Sequence, residues 1–353
     1  MRNINNKNKA FWILTLGIMS FIIIGSNPAD SKKQPRFVAV ADGPEAAYSY
    51  DGISWIDTKM QSLANWSSVC YGNGKFVAIA SYNNIQNFNN ITKFPILRTN
   101  RAAYSNDGIK WKAARLPNNV FWTSVCYGNN RFVAIAGRAD LGSSENSNKA
   151  AYSDDGIKWK AATLPSEAYW TSVCYGNNRF VAVANDDKAA YSNDGINWAE
   201  TTLSNADKWR KDAWVSVCYG KDKFVAIAGD FRDKAAYSDD GIKWTETALP
   251  NHAEWVSVCY GDGKFVAIAN NDKAAYSIDG LNWTETRLPY GGANWSGICY
   301  GNDIYGNDMF IAINLGEAGG PNTMAAHSED GIEWEITPYF SYGRWQSVCY
   351  GGD

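Results

Sequence analysis

Three sets of side chains in this 353-residue chain could do chemistry. Seven cysteines, Cys70, Cys126, Cys174, Cys218, Cys259, Cys299 and Cys349, recur at intervals of 40 to 56 residues. Seven carboxylates, Asp51, Asp107, Asp155, Asp194, Asp240, Asp279 and Asp330, each stand inside the pattern Ser-x-Asp-Gly-x-x-Trp. Two histidines complete the inventory, His252 and His327. Thiolates that bind a metal come clustered, as Cys-x-x-Cys or with neighbouring histidines, and neither arrangement is present. A disulfide needs Cα atoms within about 7 Å, closer than equivalent positions of neighbouring repeats are expected to lie. The cysteines therefore read as small buried apolar residues. An Asp beside Gly in a turn bonds nearby backbone N–H groups, so the seven carboxylates read as turn braces. His327 replaces a recurrent Tyr and His252 lies in a connecting loop, so neither belongs to a catalytic triad.

What positions all of these is a repeat. Its clearest copy reads Trp170-Thr-Ser-Val-Cys-Tyr-Gly, Arg179-Phe-Val-Ala-Val-Ala, Lys188-Ala-Ala-Tyr-Ser and Asn193-Asp-Gly-Ile-Asn-Trp198. Each copy predicts four short strands. The second is apolar throughout, as a strand covered on both faces must be. Asp-Gly joins the third strand to the fourth, and Gly-Asn-Asn or its like joins the first to the second; both are hairpin chemistry. Periods of this length, seven times over, predict one body of stacked sheets rather than two domains. The fold class expected is all-β: a seven-bladed β-propeller of four-stranded antiparallel blades over residues 36–353. Arg36-Phe-Val-Ala-Val-Ala41 is a second strand lacking a first, and Trp345-Gln-Ser-Val-Cys-Tyr350 is a first lacking a second. Joining them closes the ring and hides the sheet edges. Fourteen of the 16 Trp residues are repeat residues and are assigned to packing between blades.

The Ser-x-Asp-Gly-x-x-Trp pattern resembles the Asp-box, or BNR, repeat of sialidases and related β-propellers. It is one residue shorter than the usual box and occurs in seven blades where sialidases have six. The resemblance implies that the box is structural. It also sets out what a sialidase-like enzyme would carry: an arginine cluster, a Tyr–Glu nucleophile pair and an acid Asp. The Arg-Ile-Pro motif of that family is absent, and Arg36 aligns with the repeat cations Lys75, Arg131, Arg179 and Lys223. No catalytic residue is assigned, and no cofactor or metal is called for.

Residues 1–30 have a basic start, an apolar run from Phe11 to Ile24 and a small polar exit. That is the layout of a signal peptide or, uncleaved, of an N-terminal anchor, and it predicts secretion or a periplasmic or cell-envelope location. The 36 acidic residues outnumber the 33 basic ones, an average that offers no basic face and argues against nucleic acid as partner. A monomer touching membrane only through its N-terminal segment is expected.

Differences between copies mark what the fold does not require. Turns joining first to second and third to fourth strands are nearly uniform. Loops on the opposite face vary, and such insertions commonly mark a binding face. The longest, 81–101, carries Tyr82, Phe88, Phe94 and Arg98; 137–149 carries Arg138 and Asp140; 314–324 is rich in Gly. Ser204–Ala213 adds Trp209 and Arg210, with Trp209 the sole tryptophan outside the repeat beyond the N-terminal segment. The reading is an exported, non-catalytic binding protein holding a glycan or an extracellular protein on this face. The alternatives are a glycan hydrolase or lyase with carboxylates on the same loops, and a structural adhesive unit.

Overall fold

The computed structural model describes residues 37–83, 97–139, 145–203, 212–316, 324–337 and 343–352. The expected signal segment lies outside them. Among the described residues there are 24 strands and no helix, and every strand pairing is antiparallel apart from one isolated bridge.

One repeat shows how the sequence dictates the local structure. The first two strands turn at Asn177-Asn178, with φ of 45° and 56°, values that asparagine tolerates better than most residues. Gly176 pairs with Arg179 and Tyr175 with Phe180 on either side of that turn. Phe180, Val181, Ala182, Val183 and Ala184 are all fully buried, as an apolar strand with no polar face must be. The third strand, Lys188–Ser192, pairs with Ala199–Thr202 across the Asp-Gly turn.

Two kinds of sheet result. Three four-stranded sheets run in simple sequence order, the first starting at Trp214, the second at Trp255 and the third at Trp295. The other twelve strands join in one sheet, because three long strands each serve two repeats: Trp55–Gly72, Lys112–Gly128 and Lys160–Gly176. In Lys112–Gly128 the start faces Arg101–Tyr104 and the end faces Arg131–Arg138. Pro117, which cannot donate to a ladder, sits between them where the pairing register skips. At the ends of the described fold, Phe37–Asp42 pairs antiparallel with Arg344–Tyr350.

The apolar core lies between successive sheets. A typical cluster joins Val133 and Ile135 of one repeat to Trp170, Phe180 and Ala182 of the next. All seven strand-opening tryptophans, from Trp66 to Trp345, are at most 1% exposed. Polar staples supplement them. The first strand is an edge, and its free backbone needs partners. Val217 N–H donates to Ser172 Oγ at 3.2 Å, and Val173 N–H to Ser124 Oγ at 3.2 Å, each crossing to the preceding repeat. The same bond links Val69 N–H to Ser347 Oγ at 3.2 Å across 278 positions of sequence.

Candidate functional site

The seven carboxylates behave as turn braces. Asp194 Oδ1 accepts from Ile196 N–H and Asn197 N–H, each at 2.8 Å, and from Ser192 Oγ–H at 2.9 Å. The other six boxes repeat this arrangement, so none of these oxygens is poised for substrate. The recurrent cations brace the same face: Arg131 Nη1 donates to Asp194 O of the next repeat at 2.6 Å, and Arg179 Nη1 likewise to Asp240 O. That explains why Arg131 and Arg179 are repeat residues.

All seven thiols are free, five half-buried and two buried. Burial pushes every one of them well above the ordinary thiol range. A protonated thiol is a poor nucleophile and a poor metal ligand. Among the described residues no cluster of His, Cys, Asp and Glu could hold a metal. We expect a thiol reagent at pH 8 to label the native chain at least tenfold more slowly than the denatured chain, with seven thiols released on unfolding. Fewer than seven in denaturant without reductant would reveal a disulfide. His327 Nδ1 lies 3.1 Å from Thr337 Oγ1, and burial lowers its pKa. His252 is exposed, 3.7 Å from Asp233. Among the described residues neither is hydrogen-bonded to both a nucleophile and an orienting carboxylate.

Only part of the predicted binding set falls among the described residues. Phe88, Phe94, Asp140, Trp209 and Arg210 lie outside the described residues. Tyr82, Arg98 and Arg138 are described, and the structure brings them together. Parts of the predicted loops are strand: Lys75–Asn83 and Leu97–Ser105 extend far enough to pair Tyr82 with Arg98. Arg98 Nη1 donates to Ala139 O at 3.3 Å, tying the first long connection to the second. Arg138 pairs across the strands with Phe121, and its guanidinium lies 4.8 Å from the Tyr169 ring centre. The Tyr82 and Phe121 rings are 6.3 Å apart.

A buried carboxylate anchors this sector. The Asp42 side chain is 3% exposed and lies 3.6 Å from Arg344 Nη1. Burial, and after it the charge of Asp42, raise the Tyr82 pKa, so the phenol stays protonated and donates. At the start of the third connection Leu315 N–H donates to Asn294 O at 2.7 Å and Asn314 N–H to Met324 O at 3.2 Å, beside a small recess lined by Tyr290, Asn294, Asn314 and Met324.

Phe121, Tyr169 and Arg344 were missed by reasoning from loop length. They occupy the position immediately before the strand-opening Trp, which in the other copies holds Asn65, Ala213, Glu254 and Asn294. A variable position beside an invariant one was the available signal. Beside the undescribed Trp209 segment, Asp212 is fully buried, paired with Arg232 and, at 2.7 Å, with Lys234. Asp187 Oδ1 accepts from Trp214 Nε1 at 3.1 Å and from Asp212 N–H at 3.2 Å.

No family model matches the chain, and no curated protein does. Solved structures do. Virginiamycin B lyase from Staphylococcus aureus superposes with a TM-score of 0.61 at 14% identity, covering 78% of this chain and 85% of that one. YCF48 bound to D1 peptide gives 0.55 at 14% identity, covering 86% and 87%. The computationally designed Ika8 protein gives 0.52 at 10% identity, covering 86% and 96%. An enzyme, a peptide-bound protein and a design share this shape, so the likeness establishes an all-β propeller and no activity.

Proposed function

We propose that the chain is an exported, non-catalytic binding module that holds a glycan or an extracellular protein on its variable face. The observation that carries this reading is the Tyr82–Phe121–Arg98–Arg138–Tyr169 cluster. Aromatic faces beside guanidinium groups are the usual anchors of recognition. They are assembled from exactly those positions where copies of the repeat differ. The repeat positions around them spend their polar groups on turns and inter-sheet staples, leaving no acid–base pair assigned to chemistry.

The finer architecture belongs to the same proposal. We count seven four-stranded blades of Asp-box type, closed by pairing Arg344–Tyr350 with Phe37–Asp42. The sequential four-stranded sheets, the three strands shared between repeats and the Val69–Ser347 bond support that count. Export rests on residues 1–30.

A glycan array probed with the purified chain, with reducing sugar assayed on every hit, tests the reading. Binding without product is expected, and product formation would sink the non-catalytic assignment. Tyr169→Ala and Arg138→Ala should each weaken binding about tenfold or more, with the unfolding midpoint shifted by less than a few degrees. Trp209→Ala tests residues 204–211 in the same assay. Unchanged affinity in all three variants would remove this face from consideration.

A further inference from the structure

One arginine position of the repeat occurs in two opposite electrostatic settings. Four residues after Trp283 stands Arg287, whose guanidinium lies 2.9 Å from Asp272 Oδ2 and 3.8 Å from Glu285 Oε1. Four residues after Trp111 stands Arg115, where the positions of those two acids hold Asn100 and Ala113. Asn100 Oδ1 still accepts from Arg115 Nη1 at 3.2 Å, but it brings no charge.

The surroundings widen the contrast. Both arginines face a cation across the strand pair, Lys273 for Arg287 and Arg101 for Arg115. Like charges placed opposite each other oppose pairing. Around Arg287 two carboxylates cancel that repulsion; among the described residues no carboxylate pairs with Arg115. On its other side Arg115 is bridged to Lys158 of the next repeat, at the position that Glu333 occupies in the repeat after Arg287. Lys112 opens the strand that carries Arg115, Lys160 opens the strand that follows Lys158, and all four residues are exposed. None of the four forms an ion pair among the described residues. Residues 110–115 hold three cations, Lys110, Lys112 and Arg115, and no carboxylate, in a chain whose net charge is −3. The overall composition conceals this sector.

We infer that Lys112, Arg115, Lys158 and Lys160 form a second binding surface, on the outer strands, for a linear polyanionic polysaccharide. The repeat around Arg287 shows that the fold accommodates neutralising acids at these positions, so the open charge is not a requirement of folding. Exposed charge pairs contribute less than about 1 kcal/mol each, so a ligand must present several anionic groups to be held. Cations spaced along and between adjacent strands suit an extended polymer better than one small anion. A single-stranded nucleic acid is usually held on exposed aromatic platforms for its bases. Here Trp111 is 3% exposed, and the Tyr152 ring lies under Arg131 and Lys160. This surface is independent of the variable-face cluster.

The test uses the full chain on immobilised polygalacturonate and heparin, with dextran as the neutral polymer. Binding to both anionic polymers and none to dextran is expected, with affinity falling steeply as salt rises. The double variant Asn100→Asp/Ala113→Glu copies the acids found around Arg287. It should weaken binding at least tenfold and flatten the salt dependence, with the unfolding midpoint preserved. Lys243→Glu makes the same change in net charge on an exposed residue of a distant repeat and should alter affinity less than twofold. Equal losses in the two variants, or no binding to either anionic polymer, would overturn the proposal. Tighter binding to single-stranded DNA of equal charge would overturn the polysaccharide assignment. Arg138→Ala, aimed at the other face, should leave these affinities unchanged, so the two readings fail separately.

Discussion

Gly176→Ala should destabilise the protein by about 3 kcal/mol, at the upper end of what one added methyl costs in a packed core. The reason is an approach between repeats. A Cβ on Gly176 would lie 1.9 Å from Tyr219 Cγ, well inside any tolerable contact. The ring cannot withdraw easily, because its centre is 4.8 Å from the Phe224 ring, and Phe224 is fully buried. Gly176 has no unusual φ, so the effect is purely steric. It should therefore be relieved by shrinking the partner. Tyr219→Ala made in the Gly176→Ala background should cost much less than Tyr219→Ala alone, a coupling that a double-mutant cycle by denaturant unfolding measures. Additive losses would show that the ring does not pin the glycine. The same Gly–Tyr approach recurs from Gly72–Tyr127 to Gly301–Tyr350, so the test reports on a general joint between repeats.

Asp194→Ala should cost about 2 kcal/mol, because it orphans the Ile196 and Asn197 N–H groups and the Ser192 hydroxyl together. Burial alone would raise the Asp194 pKa. The N–H groups of Asn197 and Ile196, with the Asn197 and Ser192 side chains, outweigh it and hold the carboxyl at about 2. The six equivalent carboxyls are lowered as well. A folded-state pKa below the unfolded one means stability that is present above about pH 4 and lost as pH falls toward 2. The wild type should accordingly lose stability steeply across that window, with several protons taken up on unfolding. Asp194→Ala should start lower and fall less steeply. A flat stability profile between pH 4 and pH 2 would contradict the brace. Gly195, next in the turn, is fixed for two reasons: its φ is +71°, and a Cβ there would come within 2.5 Å of Val133 Cγ2.

The strands and turns were legible in the sequence because each rests on short-range chemistry. Phe-Val-Ala-Val-Ala can only be a strand covered on both faces, and Ser-Asn-Asp-Gly can only turn. What escaped was longer in range. Leu116-Pro117-Asn118-Asn119 reads as loop punctuation, yet it lies inside the strand Lys112–Gly128, because the register skip there leaves Pro117 without a ladder partner to fail. Likewise Tyr82 and Arg98 sit far apart in sequence on a long connection, and only the pairing of Lys75–Asn83 with Leu97–Ser105 makes them neighbours. The candidate site was thus visible as residues but not as a cluster. Phe121, Tyr169 and Arg344 needed the copies compared position by position, and the basic outer sector needed charge counted by repeat. A mean over the chain cancels the surplus in residues 110–115 against acids elsewhere.

The pairing of Phe37–Asp42 with Arg344–Tyr350 has a mechanical consequence. Phe37 and Tyr350 are direct partners at the outer end of that ladder. Tension applied between residues 36 and 351 therefore loads the hydrogen bonds one pair at a time, like a zipper, and never all together in shear. Such tension should open the joint from Phe37–Tyr350 inward to Asp42–Arg344. A tether that holds the protein by both ends would pull on its weakest direction, whereas a tether through one end alone leaves the joint unloaded.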